Sequence, residues 1–174
     1  MGSNYFQEPA TFLISVLFGI YILTVMLRFL FQLVRADFYN PISQAIVTIT
    51  NPPLWPLRRV IPGLRGIDVP SMVLMLTLKI IEIWLRSLIL GQTPKFAGLV
   101  VLAFAELAQL AVYVFIAAIL IQVIISWVAP GAYNPAPQLL YSLSRTVLKP
   151  AKALIPPLGG LDFSPLVALV GLQL

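Results

Sequence analysis

The chain has 174 residues, 60% of them hydrophobic and 10% charged, with a net charge of +5. A soluble domain is about 45–50% apolar and about 25% charged, so a chain of this length in water could not hide so much apolar surface, and the excess is expected to face lipid. The absence of histidine and cysteine excludes disulfides, thiolate metal sites, His or Cys haem ligands and every His- or Cys-based catalytic device.

The first residues carry Glu8 but no Lys or Arg before the first apolar stretch. The basic n-region of a cleavable signal peptide is missing, and none is expected. Residues 11–34 form the first apolar segment, interrupted only by Arg28. At about 1.5 Å per residue, a span needs about 20 residues, and this segment suffices. Residues 69–90 form a second span that contains Lys79, Glu82 and Arg86. The third apolar stretch, 96–128, would measure about 50 Å as one helix, against a hydrocarbon core of about 30 Å. Its span is therefore expected at about 108–128, with 96–105 as an interfacial or tilted lead-in. The last stretch, 163–174, would reach only about 18 Å; either the native chain continues past Leu174, the reading favoured, or this segment only dips into the bilayer.

Two proline-rich loops, 35–68 and 129–162, lie between these segments. Prolines at 41, 52, 53, 56 and 62 are expected to exclude one continuous helix in the first loop. Short helices such as 42–50 and 137–148 are expected instead, lying at the membrane surface.

The loops match without a gap at an offset of 94 residues. Tyr39, Asn40 and Pro41 pair with Tyr133, Asn134 and Pro135; Gln44 with Gln138; Leu54 with Leu148; Pro56 with Pro150. Ile61 and Pro62 pair with Ile155 and Pro156, Leu64 with Leu158, Gly66 with Gly160, and Asp68 with Asp162. Eleven identities in thirty positions point to a duplication. The fold expected is an all-α membrane protein with four membrane segments, arranged as two tandem parallel repeats of span, basic loop and span. The first repeat would cover 11–90 and the second 96–174.

Seven of the eleven basic residues lie in the two loops: Arg35, Arg58, Arg59 and Arg65 in one, and Arg145, Lys149 and Lys152 in the other. Short basic loops stay in the cytoplasm. Both loops are therefore expected inside and the N-terminus outside.

Several groups of residues are candidates for function. Ser71, Met75, Lys79, Glu82 and Arg86 fall on one stripe of the second span. A charge near mid-bilayer costs at least about 2.5–3.5 kcal/mol, so Lys79 and Glu82 should neutralise each other, with Glu82 and Arg86 as an i,i+4 pair. The stripe is either an ion path or a polar seam for helix packing. Glu106, Gln109 and Tyr113 share a face, and counting residues puts Glu106 at the depth of Arg86, with Lys79 as its alternative partner. Tyr21, Thr24, Arg28, Gln32 and Arg35 form a stripe on the first span, expected to be inward-facing packing polars, and Arg28 lies near enough to the cytoplasmic end to snorkel. Its repeat partner is Gln122. Arg58 and Arg59 set topology or meet anionic headgroups. Asp68 and Asp162, each just before an apolar run with a proline in its first turn, read as helix N-caps.

The motifs Tyr39-Asn40-Pro41, Pro56-Leu57-Arg58-Arg59-Val60-Ile61-Pro62 and Gly66-Ile67-Asp68 resemble the signature of the YggT family of bacterial integral inner-membrane proteins. Residues 126–131, followed by Asn134-Pro135 and by 159–162, are similar to the second half of that family. One departure is visible: around Pro150 a single basic residue, Lys152, stands where relatives usually carry a pair. The resemblance implies a multi-pass protein of the bacterial inner membrane, with relatives linked to osmotic stress and ion homeostasis, to division-gene neighbourhoods and, in plastids, to nucleoid distribution and haem attachment.

The function expected is non-enzymatic support of membrane-complex assembly or of osmotic and ion homeostasis. The alternative is a small oligomeric channel or transporter that uses Lys79, Glu82, Arg86 and Glu106. No nucleophile–base pair, metal cluster or cofactor set is visible, so no cofactor is expected. The expected partners are the lipid bilayer and other membrane proteins or further copies of the chain. Nucleic acid is not expected, because the basic residues are few and topology accounts for them.

Overall fold

The computed structural model describes residues 4–63, 66–128, 134–154 and 164–173. These residues form six α-helices: α1 (Asn4–Leu33), α2 (Pro41–Val60), α3 (Val69–Ile89), α4 (Phe96–Val128), α5 (Pro135–Leu154) and α6 (Ser164–Gln173). α2 and α5 are both 20 residues long, and their first residues are 94 apart.

Two stretches are long and apolar enough to cross a membrane, Phe6–Leu33 and Phe96–Val128. The most apolar window of each is only 17% buried, whereas the core helix of a soluble protein would be mostly covered. Hydroxyls along α1 bond back to its own carbonyls, Thr11 to Gln7, Ser15 to Thr11 and Thr24 to Ile20. Those side chains therefore need no outside partner. Phe96 to Ala105, read from sequence as a lead-in, continues α4 as the same helix.

α2 corrects the reading of the prolines. It runs unbroken through Pro52, Pro53 and Pro56. A proline inside a helix removes one amide donor and crowds the carbonyl four residues back. For Pro53 that carbonyl belongs to Ile49, and the Tyr21 hydroxyl of α1 donates to it at 3.4 Å. Ser43, Ile46, Thr50 and Leu54 make one buried face, which holds the helix against α1 and α3. A neighbouring helix thus replaces what the proline lost. α5 likewise passes through Pro150 and extends beyond the expected 137–148 on both sides.

α1 packs along α3, and α2 lies against both. α4, α5 and α6 pack together in the second half, and α3 meets α4 between the halves. The main core crosses that boundary: Ile22, Val25, Met26 and Leu30 of α1 join Leu54, Leu74, Met75, Leu107, Val114, Ala118 and Leu143. The Asn40 side chain caps α2 by accepting from the Ile42 amide at 3.0 Å, and its Nδ2 donates to the Pro135 carbonyl at 2.7 Å. The starts of α2 and α5 therefore touch.

Candidate functional site

Two clusters of charge lie between the helices. The first joins α3 to α4. Lys79 and Glu82 are one turn apart on α3, and Lys79 Nζ lies 2.8 Å from Glu82 Oε2. The same Nζ lies 2.7 Å from Glu106 Oε2 on α4. Arg86 Nη1 approaches Glu82 Oε1 at 3.6 Å, too far for a good hydrogen bond. Two cations and two carboxylates balance. Burial grades along the seam: the Glu82 side chain is 3% exposed and Lys79 15%, while Glu106 and Arg86 reach 30% and 40%. The partner of Glu106 is thus Lys79, the alternative read from the sequence, and not Arg86, which depth counting favoured. Gln109 and Tyr113 bond to each other at the exposed surface, at 2.9 Å.

The second cluster joins α1, α2 and α3. Arg28 is buried and faces inward, as the packing reading of its stripe expects, and it does not snorkel. Its Nη1 donates to Thr50 Oγ1 at 2.6 Å, to Asn51 Oδ1 at 2.9 Å and to the Val47 carbonyl at 3.2 Å. Asp68 occupies the N-cap position of α3, but its carboxylate makes no capping bond. That carboxylate accepts from Arg58 Nη2 and from the Ser71 hydroxyl, each at 2.7 Å, and lies 3.9 Å from Arg28 Nε. The reading of Asp68 as a plain cap and of Arg58 as a topology charge is therefore incomplete: the two residues pair. A sequence signal existed, since an arginine inside an apolar span calls for a partner.

The second half holds a neutral counterpart. Thr50 plus 94 is Ser144, and Arg28 plus 94 is Gln122. The Ser144 hydroxyl bonds the Gln122 side-chain oxygen. Thr50 and Ser144 are both fully buried.

The remaining motif residues are less engaged. Tyr39, Pro41, Pro56, Arg59, Pro62, Asn134, Pro135 and Pro150 are exposed. Arg59 lies over the ring of Trp55, 3.7 Å from its centroid, a cation–π contact one turn along α2. Tyr133, Pro156 and Asp162 lie outside the described residues.

The sequence profile of the family described as CCB3/YggT matches residues 7–89 and again 101–174. The chain belongs to the CCB3/YggT family. It is 44% identical to the uncharacterized protein PA0392 of Pseudomonas aeruginosa, over 97% of this chain and 86% of that one. It is 38% identical to an uncharacterized protein of Vibrio alginolyticus encoded in the proC 3' region, over 96% and 91% of the two chains. It is 35% identical to the uncharacterized protein YggT of Escherichia coli K12, over 92% and 84%. No solved structure matches the chain. Membership in CCB3/YggT agrees with the family read from the loop motifs.

Proposed function

We propose that this CCB3/YggT protein is a four-segment protein of the bacterial inner membrane, built as two parallel repeats, and that it acts without catalysis as an assembly partner for membrane complexes, further copies of itself included. In this role it supports osmotic or ion homeostasis. One observation carries the reading. The buried charges satisfy one another at helix interfaces, Lys79 with Glu82 and Glu106, and Asp68 with Arg58. Such pairing orients helix packing. The outer surface is apolar, with Phe12, Leu17 and Ile20 on α1 and Val101, Leu102 and Phe104 on α4 exposed. In a bilayer those faces meet lipid or other membrane helices.

The duplication is supported by the two profile matches, whose starts at 7 and 101 are 94 apart. It is supported too by the matched contacts Arg28–Thr50 and Gln122–Ser144. The contact between Asn40 and Pro135 favours both loops on one side, and the basic residues favour the cytoplasm.

Two experiments test this reading. In proteoliposomes, ion flux should not exceed that of protein-free vesicles, while photo-crosslinkers at Leu17 and Leu102 should give discrete adducts with membrane proteins in native membranes. The second reading, a small channel, is favoured by the way the α3–α4 seam opens outward. Arg86 Nε is buried there with no hydrogen-bond partner among the described residues. Flux that Lys79→Ala abolishes, with no adducts, would replace the first reading by the second.

Topology gives a separate prediction. The chain has no cysteine, so Gln44→Cys and Gln138→Cys each provide a single label site. Both should resist an impermeant maleimide in intact cells and react after the inner membrane is opened. Labelling of either one from outside would reverse the orientation.

A further inference from the structure

A cavity of about 370 Å³ lies between the end of α1 and the first half of α2. Small-ligand sites measure about 300–1,000 Å³. Three guanidinium side chains line it, Arg28, Arg35 and Arg58, together with Gln32 and Ser43. Among the described residues the carboxylate paired with them is Asp68; Asp37, between the lining residues Ala36 and Phe38, accepts from the Tyr39 amide instead. Three cations against one anion leave an excess of two positive charges. The backbone does not cancel this excess: the negative end of the α1 dipole and the positive end of the α2 dipole meet here and offset each other.

Two further observations point to a ligand. Ser43 is 5% exposed, and its hydroxyl is buried without a hydrogen-bond partner among the described residues. A buried polar atom left alone calls for a partner. Arg35 sits at φ 53°, where the Ala36 amide turns back to the Phe31 carbonyl and closes α1. Helices usually place glycine at that position, and a residue with a side chain is strained there. Glycine would close the helix at lower cost but would bring no guanidinium to the cavity.

We propose that this cavity is a binding site for a phosphate group, presented by a phospholipid headgroup or as free phosphate. Guanidinium forks match phosphate oxygens in pairs of parallel hydrogen bonds. The Ser43 hydroxyl donates to a third oxygen. Arg28 is already committed to Thr50 and Asn51 and supplies field, while Arg35 and Arg58 supply contacts. The site shares Arg58 with the Asp68 pair of the assembly reading, whereas Arg35 and Ser43 enter neither the assembly nor the channel reading, so variants at those two positions test the site separately.

The test uses the full chain in neutral detergent and native mass spectrometry, with three probes. These are dioctanoyl phosphatidylglycerol, dioctanoylglycerol with the same tails and no phosphate, and inorganic phosphate. Phosphatidylglycerol should bind about tenfold more tightly than dioctanoylglycerol, the effect expected from one charge-assisted hydrogen bond or more. Arg35→Gln keeps the same backbone strain, and Ser43→Ala removes only the hydroxyl. Each should weaken phosphatidylglycerol by about tenfold, with the melting temperature of the ligand-free protein near wild type. Displacement of the lipid by millimolar inorganic phosphate assigns the site to free phosphate, and retention of the lipid assigns it to a headgroup. Equal binding of the two dioctanoyl probes, or phosphatidylglycerol binding unchanged in both variants, would overturn the proposal.

Discussion

Lys79→Ala should destabilise the protein by about 3–5 kcal/mol, the usual cost of leaving a buried charge without its partner. Glu82 decides the size of the effect. Its side chain is 3% exposed, and Lys79 is its close partner at 2.8 Å. Once Lys79 is gone, the nearest cation is Arg86 at 3.6 Å, on a side chain already 40% exposed. The double change Lys79→Leu with Glu82→Leu should be milder than Lys79→Ala. It removes the Glu82 carboxylate that Lys79→Ala would leave without its partner. Glu106→Gln should cost less than Lys79→Ala, because Lys79 keeps its 2.8 Å contact with Glu82. Thermal unfolding in detergent ranks the variants. A Lys79→Ala protein that melts with wild type would show that the seam carries no structural load. The same proteins then enter the flux assay, where a stable double mutant that has lost flux would favour the channel.

The two long apolar helices were legible because their signal is local: a run of apolar residues of known rise. The equal placement of α2 and α5 was also legible, since a gapless repeat carries register. The contact of Lys79 with Glu82 follows from a spacing of three on one helix. What sequence rules missed was set by neighbours. Proline chemistry argued for a broken α2, but Tyr21 of α1 reaches the Ile49 carbonyl that Pro53 leaves free. Asp68 had every local mark of a cap, yet Arg58, ten residues earlier, takes its carboxylate. Counting rise put Glu106 level with Arg86. The structure puts it against Lys79, two turns away along α3 and therefore about 10 Å distant. Depth counted along a chain assumes upright helices with known ends, and α4, at 33 residues, has room to tilt or protrude.

The proposed duplication turns this contrast into a second large prediction. At the equivalent positions of the two halves, α1 and α2 are tied by a charge, and α4 and α5 by a neutral bond. Arg28 is 7% exposed, its hydrogen-bond acceptors Thr50, Asn51 and Val47 are uncharged, and Asp68 is the carboxylate beside it. Asp68→Ala should therefore strand a buried guanidinium and cost about 3–5 kcal/mol. Arg58→Ala should cost about 1 kcal/mol or less despite its 2.7 Å contact with Asp68, because Arg58 is 42% exposed and Arg28 still faces the carboxylate. Arg28→Leu combined with Asp68→Leu should recover much of the loss: both deep charges go, Arg58 turns to water, and Thr50 keeps its bond to the Ile46 carbonyl. In the second half, Gln122→Leu removes a neutral partner from Ser144, which still bonds the Leu140 carbonyl at 2.8 Å. Its cost should be about 1 kcal/mol. Melting temperatures of the four variants in one detergent measure the order. If Asp68→Ala and Gln122→Leu melt together, the Asp68 carboxylate contributes no more to holding the first half than the neutral Gln122–Ser144 bond does to holding the second.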